Sequence, residues 1–237
     1  MSNAITRHIP NTVTCLNLFS GCIAAVMAFE AKYELALGFI ILGAIFDFFD
    51  GMLARLLGAH SPIGKELDSL ADDISFGFAP AVMIFSFMKE SSMHYPEFLM
   101  GIKDYVPYIA FLIAVYSALR LAKFNVDERQ TSSFIGLPTP ANALFWGSLI
   151  VGSGDLILMH VNVIALIGLI LVFSWLLVAE IPMFSMKFKD LTWKNNRITY
   201  VFIIVSIPLL IILKLSGIAA VIAWYILLSL VTQKSGK

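Results

Sequence analysis

Charged residues make up only 14% of this 237-residue chain, and no stretch between its long apolar runs is large enough for a separate soluble domain. Cysteine is scarcer still. Cys15 and Cys22 are the two present, and seven residues of helix place them about 10 Å apart along the axis, beyond disulfide reach. They read as small packing residues. The first ten residues carry one arginine and no apolar core, so they do not form a signal peptide. Acidic and basic residues balance at 16 each, which gives no basic excess for a nucleic-acid partner. What fills the chain instead is hydrocarbon. Apolar residues reach 59% and mean hydropathy is +0.87, the signature of a polytopic membrane protein.

Segments long enough to approach the thickness of a bilayer's hydrocarbon core recur near 12–29, 35–57, 63–89, 105–125, 138–154, 159–178, 198–214 and 217–233. The fifth and seventh are short. The expectation is an all-α membrane bundle of about eight transmembrane helices, a single domain over 1–237 with a catalytic core in 1–155 and additional helices in 156–237. An even count places both termini on one side with Arg7, Arg55, Lys65, Arg120, Lys123, Arg129, Lys187, Lys189, Lys194, Arg197, Lys234 and Lys237. Lys32, Lys89, Lys103 and Lys214 fall on the other. That bias makes the first side cytoplasmic in a multi-pass plasma-membrane protein.

Against this background, Asp47, Asp50, Asp68 and Asp72 stand out. A charge at bilayer depth costs roughly 2.5–3.5 kcal/mol on insertion scales, so the four need compensation. Asp47 and Asp50 are three apart on one helical face, with Gly43, Gly51 and Ala54 near the same stripe. Gly64, Asp68, Asp72 and Ser75 follow at steps of four, four and three on the next helix. Two carboxylate pairs can thus meet across a helix–helix gap. Hard oxygen ligands suit Mg²⁺ or Mn²⁺, and two divalent ions would neutralise four acids in an arrangement suited to phosphoryl displacement.

These residues carry a resemblance. Asp47, Asp50, Gly51, Ala54, Arg55, Gly64, Asp68 and Asp72 stand at every position of the signature of the CDP-alcohol phosphotransferase family. The resemblance implies that the four aspartates bind two metals, that Asp72 acts as base, and that the glycines and Arg55 hold the CDP moiety.

Further polar groups gather on the same side. Pro10-Asn11-Thr12-Val13-Thr14 precedes the first span, where Asn11 is a candidate N-cap; the run also resembles the phosphatidylserine synthase branch, which places Asn11 and Thr14 near the nucleotide. Asn17 lies one turn further in. After Asp72 comes Ser75-Phe76-Gly77-Phe78-Ala79-Pro80; Pro80 should kink the helix and Ser75 can bond a ligating carboxylate. Asp73 is turned about 100° from Asp72 and is expected to pair with Arg120 or Lys123 or to bond locally. Arg120-Leu-Ala-Lys123-Phe-Asn125, with the later 132–140 run, resembles the same branch, and these three residues are the candidates for the acceptor and a nearby phosphate. Their plainer reading is a charged helix end meeting lipid phosphates. His60 reads as an exposed loop residue and 187–197 as a surface anchor.

The resemblance implies transfer of a phosphatidyl group from CDP-diacylglycerol to L-serine, with membrane lipid as surroundings and a homodimer as assembly. Glycerol 3-phosphate or inositol phosphate as acceptor would call for more basic residues than Arg120, Lys123 and Arg129 provide. A cation or proton carrier would spread its polar positions through the whole depth, whereas here they crowd one half.

Overall fold

A computed structural model describes residues 4–59, 61–90, 92–127, 135–184, 192–193 and 196–234. His60, most of the 132–140 run's first part and most of the 187–197 segment lie outside the described residues. Among the described residues the chain is helical, with two isolated bridges, His94 to Asn162 and Ile135 to Pro182, and no strands. That is the outcome expected where backbone groups must be satisfied within each segment.

Helices α1 (Ala4–Phe29) and α2 (Tyr33–Leu57) pack along one another as a hairpin. Ala24, Ala25, Ala28 and Ala36 are buried in this bundle, small residues of the kind that let membrane helices approach closely. Because α1 begins at Ala4, Asn11 lies inside the helix and not at its cap. Pro10 sits within the same helix. Both cysteines are free, and both are exposed, so they do not pack the interior as expected.

Gly58 ends α2 in the left-handed conformation, its N–H turned back to the carbonyls of Ala54 and Arg55. Ser61 then caps α3 (Pro62–Asp72) by accepting from the Gly64 N–H at 3.0 Å, with Pro62 in the first turn. Both acid-bearing helices, α2 and α3, pack on α1. Pro80 cannot donate to the carbonyl four residues back. The helix meets this with a widened turn: Asp73–Phe78 is a π-helical segment in which the Ala79 N–H bonds to Ile74 O. From there α4 (Ala79–Met88) continues, buried at every residue but Ser86.

Two 3₁₀ turns (Glu97–Ile102 and Val106–Phe111) lead into α5 (Leu112–Val126). The next helix, α6 (Thr139–His160), is longer than the sequence reading allowed, and α7 (Val163–Val178) correspondingly shorter. The boundary is set by Asn162, whose side chain accepts from the Ile164 N–H at 3.0 Å and starts α7 there. Gly136, at φ +77°, packs against the end of α7, and its N–H bonds Ile181 O at 2.9 Å. The chain closes with α8 (Arg197–Leu213) and α9 (Ser216–Lys234). α9 packs on α6, and α8 packs on α9.

Among the described residues, five helical stretches are long and apolar enough to cross a membrane: His8–Phe29, Tyr33–Leu57, Pro62–Met88, Val106–Val126 and Thr139–His160. Three shorter apolar helices follow, within α7, α8 and α9. The architecture is a helical membrane bundle.

Candidate functional site

The facing sides of α2 and α3 bring the acids together. Asp47, Asp50 and Asp68 each offer a carboxylate oxygen within 4.8 Å of the others. Asp72, one turn beyond Asp68, is 9% exposed, and the Asp47 side chain is within hydrogen-bonding reach of both Asp68 and Asp72. Among the described residues no lysine or arginine forms an ion pair with any of the four. Arg120 acts on Asp72 only at longer range. Asp50 Oδ2 and Asp68 Oδ1 are buried and have no hydrogen-bond partner among the described residues. Unmatched buried oxygens of this kind are costly. Convergent hard donors with unused lone pairs fit a divalent cation of the Mg²⁺ type, which takes all-oxygen coordination.

A residue that the sequence reading placed but gave no role holds the arrangement. Asn17 is fully buried in α1, and its Nδ2 donates to Asp72 Oδ1 at 3.2 Å. Ser75 does not bond a carboxylate as expected: its hydroxyl donates to the Asn17 backbone carbonyl at 2.9 Å. The π segment turns Ser75 toward α1, where Gly21 leaves room for it. A Cβ at Gly21 would overlap Ser75 Oγ and stand 2.7 Å from its Cα. Gly43 makes the matching space on α2, where a Cβ would lie 3.0 Å from Asn17 Oδ1. The signal in the sequence was an amide side chain in an otherwise apolar run.

A cavity of about 500 Å³ opens beside the acids. Its wall includes Asn11, Thr14, Gly51, Ala54, Arg55 and Gly64, all six residues expected at a nucleotide, together with Asp50 and Asp68. Pro10, Ala59, Ser61, Pro62 and Lys65 complete it; Pro10 belongs to the run expected beside the nucleotide, and the other four carried no such expectation. A Cβ at Gly51 would stand 3.7 Å from Arg55 Nη1, and one at Gly64 would come within 2.9 Å of Asn11 Oδ1. Thr14 lies within reach of Asp50 and donates to the Pro10 carbonyl at 3.1 Å. Asp50 is seven residues from the end of α2 and Asp68 six from the start of α3, which sets the acids about 10 Å below the helix ends.

The three acceptor candidates on α5 divide. Arg120 is 7% exposed, reaches Thr139 Oγ1 at 3.4 Å and lies over the Phe124 ring at 5.4 Å. Lys123 shares a small recess with Arg120 but is exposed. Asn125 points elsewhere: its Nδ2 donates to Ser69 Oγ on α3 at 2.8 Å, and its carbonyl accepts from Lys65 Nζ at 2.8 Å. Five residues of helix rotate Asn125 well away from Arg120. Asp73 forms no ion pair with Arg120 or Lys123, contrary to expectation, and its Oδ1 has no partner among the described residues. Its side chain lies beside Gly77 and is turned toward α5.

The family model described as CDP-alcohol phosphatidyltransferase matches residues 7–173. A CDP-diacylglycerol–serine O-phosphatidyltransferase of Bacillus subtilis (strain 168) is 36% identical over 138 residues, 56% of this chain and 70% of the relative. One from Helicobacter pylori (strain J99) is 25% identical over 225 residues, covering 94% of this chain and 89% of its own. An archaetidylserine synthase of Methanothermobacter thermautotrophicus is 34% identical over 139 residues, 57% of this chain and 54% of the relative.

Proposed function

This chain belongs to the CDP-alcohol phosphatidyltransferase family, and from that premise we propose that it transfers the phosphatidyl group of CDP-diacylglycerol to the hydroxyl of L-serine, releasing CMP. The observation that carries the reading is the aspartate cluster opening directly onto the cavity that Arg55 and Gly64 line. The names of the relatives support serine as the acceptor.

Asp47, Asp50, Asp68 and Asp72 would hold the divalent cations, two ions of Mg²⁺ or Mn²⁺, which would supply polarisation of the phosphate under attack and offset charge on the departing CMP. The protein's own groups do the rest. Asp72 accepts the proton of the serine hydroxyl as its oxygen bonds to phosphorus and the bond from phosphorus to the CMP oxygen breaks. Asn17 fixes which way the Asp72 carboxylate points. Arg55 grips the diphosphate, a task for which a guanidinium is well shaped, while Gly51, Ala54 and Gly64 keep the wall thin enough for close approach. Asn11 and Thr14 complete the nucleotide side from α1. Arg120, with Lys123, attracts the acceptor's carboxylate and a nearby phosphate.

This end of the bundle faces the cytoplasm, a reading the basic residues support, and there CDP-diacylglycerol arrives sideways from lipid and serine from solution. The catalytic core lies in the first five spans, and the assembly is a homodimer. The test is CMP release by the detergent-purified protein with CDP-diacylglycerol and serine. Turnover should stop on exhaustive chelation and return with Mn²⁺ or Mg²⁺. Asp72→Asn should abolish it with the fold intact. Turnover that ignores chelation, or survives in that variant, rejects the mechanism.

A further inference from the structure

On the side of the third span facing α5 lies a second group of polar side chains that the chemistry above leaves unused. Asn142 on α6 is fully buried, and neither end of its amide has a hydrogen-bond partner among the described residues. Ser117 on α5 is fully buried with its hydroxyl unpartnered. Arg120 Nε and Asp73 Oδ1 are buried and unpartnered as well. Each such group costs about 1–3 kcal/mol when nothing satisfies it, so four in one region are not explained by packing.

Their positions join them. Asp73 Oδ1 and Ser117 Cβ both lie 2.8 Å from where a Cβ on Gly77 would stand, so π segment and α5 meet there. Arg120 is one turn along α5 from Ser117 and reaches Thr139 on α6. Asn142 is one turn along α6 from Thr139. Successive spans run antiparallel, so stepping back one turn on α5 and forward one on α6 brings Ser117 and Asn142 to the same depth. Both α5 and α6 pack on the π segment, which closes the third side. Asp73 directly follows Asp72, so the seam borders the reacting centre.

We infer that this seam is the acceptor subsite and that it selects a small α-amino acid zwitterion, with Arg120 and Asn142 on the carboxylate and Asp73 and Ser117 on the ammonium group. The inference rests on the transferase reading and deepens it. One buried cation, one acid and two neutral groups match a ligand of zero net charge whose opposite ends lie close together. A phosphorylated acceptor such as glycerol 3-phosphate would meet repulsion from Asp73 and, among the described residues, no second buried cation. The adjacent residues Asp72 and Asp73 then split two tasks, proton acceptance and ammonium recognition, because one residue step turns them to different neighbours.

Steady-state CMP release tests this with Asp73→Asn, Asn142→Ala and Ser117→Ala. Asp73→Asn and Asn142→Ala should each raise KM for serine about tenfold or more, leave KM for CDP-diacylglycerol within about twofold, and leave the melting profile that of the parent. Ser117→Ala should act in the same direction more weakly. The unaltered enzyme gives a test that needs no variant: L-alanine, a zwitterion with no hydroxyl, should inhibit competitively against serine. Ethanolamine and 3-hydroxypropanoate, each lacking one charge, should not inhibit. Serine-dependent turnover with an unchanged serine KM in both principal variants, or no inhibition by alanine, overturns this inference alone. Turnover with glycerol 3-phosphate and none with serine overturns the function and the subsite together.

Discussion

Replacing Gly21 with alanine probes the joint on which the catalytic acid depends. The new Cβ would overlap Ser75 Oγ and sit 2.7 Å from Ser75 Cα and 2.9 Å from its N, so backbone and not merely a side chain must move. Overpacking of this kind costs about 1–3 kcal/mol. Separating α1 from the π segment also threatens two bonds, Ser75 to the Asn17 carbonyl and Asn17 to Asp72. Within a membrane these are worth about 0.5–1 kcal/mol each. Alanine's better helix propensity offsets about 1 kcal/mol. The net expectation is a loss of about 1–4 kcal/mol, read as a lower denaturation midpoint in detergent. Activity should suffer more than stability, since a shift of about 1 Å in a positioned group can cost on the order of 10²-fold. Gly38 in α2 is the control. Nothing lies within 4 Å of its Cβ position, so Gly38→Ala should be neutral or mildly stabilising. A Gly21→Ala enzyme with the parent's midpoint and kcat refutes the reasoning.

Asn17→Leu keeps the bulk of a fully buried residue but removes the donor to Asp72; kcat should fall on the order of 10²-fold with the protein still eluting as a folded species on size exclusion. Ser61→Ala removes the cap of α3 and should lower thermal stability by about 1 kcal/mol, measured by a melting assay in detergent. Gly136→Ala forces a side chain into φ +77° and toward Leu177 O at 2.7 Å. The left-handed conformation alone costs roughly 1–2 kcal/mol, so a clear drop in midpoint is expected with serine affinity changed little. Arg55→Ala should raise KM for CDP-diacylglycerol while leaving KM for serine near the parent value, as measured by CMP release.

The spans were legible because hydropathy is a property of the composition of each segment, and the carboxylate pairs because helical spacing fixes a face without knowledge of the partner. Asp47, Asp50 and Asp68 meet as that argument required, and the six nucleotide candidates line one cavity. What escaped was set by contacts distant in sequence. Asn17 and Asp72 are 55 positions apart, and nothing local marks the amide as their link. The π segment depends on how α4 meets Pro80 and on the space Gly21 leaves, so spacing at 3.6 residues per turn could not anticipate Ser75's direction. Asn11 reads in the sequence as an N-cap ahead of the first span, yet α1 runs through it from Ala4. Asn162 carries a cap signal inside the apolar stretch 159–178, where hydropathy alone shows no break.

Burial differs sharply between α4 and the outer flanks of α2 and α3. From Ala79 to Met88 all but Ser86 is enclosed by neighbours, leaving almost no hydrocarbon-facing side low on that span. Beside the acids the reverse holds, since Phe48 and Phe49 on α2 and Ile63 and Leu70 on α3 are open. If a lipid headgroup sits at Asp50 as proposed, these two outer flanks are the faces its tails would lie against, aromatic on one side and branched on the other.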